Sequence, residues 1–456
     1  MDFFLFHGKF WLGHGQFADA MIVRRGRIVS VGRERELYLR ARGCDFISLG
    51  GRTVIPGLFD ACLCLAAAGS PLPEGTDGLE EAVQTVMAAH PRQAKKGARL
   101  YWHSAGEELT REQLDRIWPH SPLVLEDVAE ARAWANGKAL ERLERKGIPP
   151  ALAAQVTFGA DGKPVGRFSG PACRLVAGVI PRPTQGELKA RALSLLHQAA
   201  RTGITTVQSA DLGLALEERD LTVIRQLYRE RGDLPRLQFF SQKPRGLKAD
   251  FAGRLTAVEE LSRAQWQPGQ LMVPVEDGPA LDEVLEQLRR HPLPGENFRR
   301  MTLLGASCTN STQLREMGSH ALGVVGFPNR LEKMLTACAG QPGAALSTCC
   351  AFRTLKNLGA HVAFGGLDSM APFSGLQKAV LREGKEALSV EEALEVWTSG
   401  GAWTGFQEDA LGRLRPGYQA DLAVLDQDVF VMSPASMHTL RPVLTMAAGR
   451  VLHREI

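Results

Sequence analysis

Two thiols stand one residue apart in "VIPGLFDACLCLAAAG", residues 54–69, as Cys62 and Cys64. On an extended strand, residues two apart point to the same side. Two convergent thiolates are ready zinc ligands, but zinc usually takes four ligands and a pair is not a site. The same two residues could instead be small buried hydrophobes or a reducible couple. A nucleophilic cysteine needs a neighbouring base or a positive microenvironment, and the sequence assigns neither. The adjacent pair Cys349 and Cys350 has no metal-motif spacing and reads as packing.

The scaffold that must hold such groups is large. A chain of 456 residues corresponds to two or three domains, or to one large barrel with an accessory domain. Hydrophobic residues make up 44% and charged residues 23%, which is ordinary globular usage and indicates neither disorder nor a membrane protein. The net charge is +4 with no basic tract, so nucleic acid is not an expected partner. The opening "MDFFLFHGKFWLGHG" lacks a positive n-region and a cleavage site, and no apolar run approaches 18 residues. The expectation is a soluble, cytoplasmic protein with no membrane partner, whose eight cysteines stay as thiols.

Residues 18–57 alternate short strand-like runs with glycine turns, and "LGRLRPGYQADLAVLDQD" and "RPVLTMAAGRVLHRE" repeat that texture at the other end. Both ends are expected to pair into one β-domain spanning 1–57 and 405–456. Between them, helical periodicity runs into short apolar segments: "TQGELKARALSLLHQAARTG" into "ITTVQSAD", "ALDEVLEQLRRHP" into "RRMTLLGAS", and "FRTLKNLG" into "AHVAFGGLDS". Repeated alternation of this length predicts an α/β fold, a TIM-like (β/α)8 barrel over 58–404. The segment at about 70–180 is more irregular. It reads as an insertion of helices around one strand.

With these motifs in view the chain resembles the amidohydrolases, specifically family 3 and its N-substituted formamide deformylase-like branch. The landmarks are "GGRTVIPGLFDA", "LTREQLDRIWPHSPLVL", "AWANGKAL", "DGKPVGRF", "ARTGITTVQSA", "AFRTLKNLGAHVAFGG", "LSVEEALEVWTSGGAWTGFQEDALGRLRPGYQADLAVLD" and "VLTMAAGRVL". The likeness runs from about residue 18 to 455. It implies a metal-dependent hydrolase fold with a composite β-sandwich from both termini, a dimer, and hydrolysis of non-peptide carbon–nitrogen bonds at one or two divalent ions, usually zinc.

The family's ligand positions carry other residues here. The first histidine pair is replaced by Cys62 and Cys64. The strand-5 histidine position holds Pro274, the strand-6 histidine position Gly305, and the strand-8 aspartate position Leu367, with Asp368 next to it. The bridging-carboxylate region offers Ser169 and Gly170, and the His-Asp after the second strand is Gln208 and Ser209. His103, followed by Glu107 and Glu108, falls in a region that lines the family's ligand face. Together with Gln208, Ser209 and Asp368 it makes up the pocket candidates. Asp368, with Ser369 and Ser374, is the one catalytic candidate, or else the cap of the following helix.

The sequence therefore predicts a degenerate member of the family, a pseudoenzyme with no metal centre or other cofactor that keeps a pocket for a small molecule and forms a homo-oligomer. The alternatives are an active hydrolase with a zinc site built on Cys62 and Cys64 or with metal-free chemistry, and a non-catalytic subunit of an active paralogue.

Overall fold

The computed structural model describes residues 1–65, 72–73, 75–104, 107–127, 131–212, 219–241, 251–255, 261, 270–275, 278–293, 297, 299–339 and 347–456. The chain forms two compact units, one of Met1–Leu63, Leu193–Gly213 and Ile224–Ile456, the other of Cys64–Ala192 and Leu214–Val223.

The first unit is built on eight parallel strands in sequential order: β1 (Leu58–Leu63), β2 (Ile204–Leu212), β3 (Arg236–Ser241), β4 (Phe251–Leu255), β5 (Gln270–Val275), β6 (Thr302–Gly305), β7 (Gly323–Gly326) and β8 (His361–Phe364). Parallel strands covered on both faces read as unbroken apolar runs, which is what "TLLG" and "GVVG" are. Helices precede the later strands, as the alternation predicts. Helix Gly278–Arg290 buries Leu281, Val284, Leu285 and Leu288, an i, i+3, i+4, i+7 stripe. Each such side chain contributes roughly 1.5–3 kcal/mol by leaving water. Helix Ser311–Ser319 starts at a reciprocal cap between Asn310 and Gln313.

The ladder is continuous through the eight strands, and its two outer members meet in a single bridge. Leu367, three residues past β8, pairs with Leu63, and its N–H donates to the Cys62 carbonyl at 2.8 Å. This is a TIM-like α/β fold with a composite β region. In that region the strands from both ends share a six-stranded sheet, where Thr53–Pro56 lies antiparallel to Leu422–Leu425 with Ile55 opposite Ala423. A four-stranded sheet of Phe3–Phe6, Ala20–Arg24, Arg27–Gly32 and Asp45–Ser48 packs on it through Leu5, Phe10, Met21, Val23, Val54, Leu422, Val424 and Leu444.

The second unit corrects the expectation of helices around one strand. It holds a five-stranded mixed sheet, in the order Val156–Phe158, Pro164–Ser169, Arg132–Ala135, Leu123–Asp127, Ala98–Tyr101. Separate apolar cores contain Leu114, Leu125 and Trp134 on one side and Val124, Ala135 and Phe168 on the other. Helices Arg111–Ile117 and Gly137–Lys146 begin at Thr110 and Asn136, whose side chains accept from free N–H groups of the first turn.

The cysteines also depart from expectation. Cys308 and Cys338 form a disulfide, with Cys349 packed in the same cluster, so not all eight are thiols. Among the described residues no helix is long and apolar enough to cross a membrane.

Candidate functional site

The ends of β1 and β8 bring several of the candidate positions together. Cys62 lies buried near the end of β1, and Cys64 falls one residue beyond the strand, also buried. Between them and β8 sits a group that the sequence reading left without a role. Asp60 is fully buried and accepts from the Cys62 N–H at 3.1 Å and from the Gly366 N–H, 3.1 Å from each carboxylate oxygen. Burial pushes its carboxyl up to about 7, against the opposing pull of those two N–H donors. Asp60 thus ties the segment after β8 to β1. The retained Asp of the "Pro-Gly-hydrophobe-Asp" motif was the available signal.

Three of the positions that the resemblance assigns to the family's ligands, Gly305, Pro274 and Leu367, carry no side-chain ligand atom. Gly305 closes β6 with φ +91, a conformation favouring glycine, and a Cβ built there would stand 2.8 Å from the Val275 carbonyl oxygen. A histidine on this backbone would have to displace the β5 main chain. Pro274 is exposed on β5, paired in register with Leu304. Leu367 adopts a left-handed conformation, φ +59, at its bridge with Leu63.

Asp368 pairs with an arginine. The turn Pro328–Arg330 follows β7, and parallel neighbours bring their C-terminal loops to the same end of the sheet. There the buried Arg330 donates from Nη2 to Asp368 Oδ2 at 2.5 Å. The following helix, Pro372–Leu381, starts at Ala371 without a side-chain cap, so Asp368 does not take the capping role. Arg330 was missed in the sequence. An arginine four residues past an apolar strand, in "GVVGFPNR", was its only signal.

Gln208 and Ser209 are both buried on β2. The Gln208 amide is held at both ends. It donates to Gln238 Oε1 at 3.1 Å and accepts from Thr404 Oγ1 at 3.0 Å. Gln270 reaches the Thr404 carbonyl at 2.6 Å, completing a buried amide network that braces β2, β3 and β5 against the 401–404 helix. This arrangement serves packing, because the Gln208 carboxamide already has neighbours for both its donor and its acceptor.

In the second unit, His103 lies 3.6 Å from Asp127 through Nδ1 and Oδ2. Asp127 ends the strand Leu123–Asp127, is buried, and accepts from Ser104 N at 2.9 Å and Oγ at 2.8 Å. The imidazole therefore stands beside a buried carboxylate that the Ser104 donors hold in place. Asp127 was unmarked in the sequence, since a carboxylate ending an apolar run looks like any strand terminus. Gly170, φ +51, follows the strand Pro164–Ser169, and its N–H donates to Ala131 O at 2.8 Å.

The metal that the resemblance implies can be tested against these residues. Pro274, Gly305 and Leu367 offer no ligand atom, and the backbone at Gly305 bars one. Among the described residues, neither Cys62 nor Cys64 belongs to a group of three His, Cys, Asp or Glu side chains close enough to share an ion. The inherited constellation does not fit a metal centre.

The chain belongs to the amidohydrolase family, whose model matches residues 45–453. Among its relatives are YtcJ of Bacillus subtilis (strain 168), provisionally named an amidohydrolase, and the N-substituted formamide deformylase of Arthrobacter pascens. The first is 23% identical over 99% of both chains, the second 23% identical over 95% of this chain and 94% of that one. Of solved structures, an uncharacterized metal-dependent hydrolase from Pyrococcus furiosus matches with TM-score 0.69 at 19% identity, covering 94% of this chain and all (100%) of that one, a likeness of fold.

Proposed function

We infer that hydrolysis of amide bonds is the ancestral activity behind this chain, as its family membership supports. We propose that this chain has lost the family's metal centre and works as a non-catalytic, small-molecule-binding member. The observation that carries the reading is Gly305. A ligand lost by side-chain substitution could be regained by one mutation, whereas here a positive φ and a carbonyl 2.8 Å from the Cβ position oppose any side chain. Pro274, Leu367 and the two cysteines support the same reading, because the departures fall at separate strand ends.

A second reading is favoured by the His103–Asp127 pair. An imidazole 3.6 Å from a buried carboxylate is a candidate general base, and it would serve a hydrolase that activates water without the inherited metal ligands.

The deciding experiment is elemental analysis of protein purified without added metal, on the wild type, Cys62→Ala/Cys64→Ala and His103→Ala. The proposal expects well below one equivalent of metal in all three. One zinc per chain, lost in the cysteine variant, would restore the thiolate site. Zinc lost only in His103→Ala would move the centre to the second unit. Either result overturns the non-catalytic reading.

A further inference from the structure

The second unit carries an open cavity of about 310 Å3, lined by Glu108, Arg132, Trp134, Gln155, Arg167 and Ser169 among others. Its floor follows from strand alternation. In the antiparallel pair of Arg132–Ala135 and Pro164–Ser169, Arg132 lies opposite Ser169 and Trp134 opposite Arg167. Ala133, Ala135 and Phe168, the residues between, pack into one core. The two arginines and the serine are left around the cavity, where Trp134 descends into the other core.

One carboxylate already sits among these donors. Glu108 accepts from Arg132 Nη1 at 2.9 Å and from Trp134 Nε1 at 3.0 Å, and it lies 3.9 Å from Arg167 Nε. A single negative charge faces two guanidiniums, so the lining is left with a net positive charge. Arg167 also donates from Nε to the Leu109 carbonyl at 3.1 Å. Among the described residues, its two Nη groups, and the Nε and Nη2 of Arg132, have no protein acceptor. Gln155 adds a further amide, its Oε1 held by the Ala172 N–H at 3.1 Å.

We propose that this cavity binds a small organic carboxylate. The planar fork of a guanidinium matches a carboxylate with two parallel hydrogen bonds, and Glu108 shows the donor set accommodating one. The volume reaches the lower range of ligand clefts. Glu108 then has a second role as a resident competitor. Its carboxylate holds the donors in place and lowers the affinity for an incoming anion. The proposal does not depend on whether the chain retains hydrolytic activity.

The test is titration calorimetry of the full chain with benzoate as probe, and with benzamide and inorganic phosphate as controls. Benzoate is expected to saturate in the millimolar range and benzamide not to bind, since the neutral amide lacks the charge. Glu108→Gln is expected to tighten benzoate about tenfold, as removing one competing charge-assisted contact is worth about that factor. Arg132→Gln and Arg167→Gln are each expected to weaken it about tenfold on the same scale. A gain in Glu108→Gln cannot arise from misfolding, so the proposal remains exposed even if an arginine variant is unstable. It is overturned if benzoate fails to bind both wild type and Glu108→Gln, if Glu108→Gln leaves the affinity unchanged, or if phosphate binds as tightly as benzoate.

Discussion

Replacing Asp60 with asparagine should make the protein more stable at neutral pH than the wild type, and the size of that gain should depend on pH in a defined way. Asp60 is completely buried, and only the Cys62 and Gly366 N–H groups moderate its desolvation. Its carboxyl is pushed from 3.8 to about 7, so the folded chain holds this proton more tightly than the unfolded chain. The sign follows from linkage. Between those two values the unfolded state binds fewer protons at this site, so stability falls as pH rises through about 4 to 7 and is level above. At about 1.36 kcal/mol per tenfold in proton affinity, the full loss is about 4 kcal/mol. Asparagine does not titrate, and its Oδ1 can still accept from both N–H groups. At pH 4 the variant should lie within about 1 kcal/mol of the wild type, the net worth of one neutral hydrogen bond. At pH 8 it should be ahead by roughly 3 kcal/mol on the same linkage scale. With an unfolding entropy of about 2.1 cal/mol/K per residue, a whole-chain transition shifts roughly 1 °C per kcal/mol. Thermal melts of both proteins from pH 4 to 8 measure the difference, in which every other titrating group cancels. A Tm difference that stays constant across that range would refute the burial argument for Asp60.

Two further outcomes follow. Gly305→His should not restore a ligand, because the side chain meets the Val275 carbonyl. It should cost at least about 2 kcal/mol from the left-handed backbone and the clash, read as a lowered denaturation midpoint. Reducing the Cys308–Cys338 disulfide removes a cross-link of sequence separation 30, worth about 3 to 4 kcal/mol in chain entropy, so reductant should lower the Tm, and titration without reductant under denaturing conditions should count six thiols, not eight.

The parts of the fold legible in the sequence were those with strong periodicity. Helix Gly278–Arg290 and the strand after it stand out because the apolar stripe and the apolar run differ so clearly in period. Phe3–Phe6 and Lys9–Gly13 were not marked as strands, since "FFLF" shows no alternation to separate a strand from any other apolar run. Arg132–Ala135 was hidden by alanines, which carry a helical preference until the sheet claims them. At the candidate site, the missing ligands at Pro274 and Leu367 were readable as residue types. What made Gly305 irreversible was a dihedral angle, which no composition reveals. The pairings of Arg330 with Asp368 and of His103 with Asp127 join residues from separate elements, and in each pair one member lay where a loop or strand end gives no periodic signal.

The seam at Ile55 and Ala423 has a consequence for how the chain is made. During synthesis at about 5 to 20 residues per second, Thr53–Pro56 leaves the ribosome well before its antiparallel partner exists, an interval on the order of twenty seconds to more than a minute. The four-stranded sheet of the first 48 residues can form early, because all its strands are local. Through that interval it has an apolar face awaiting Leu422, Val424 and Leu444. A pause or truncation late in the message would therefore expose a sticky, half-built sandwich, and the last few strands to emerge act as the closure that renders the nascent chain safe from self-association.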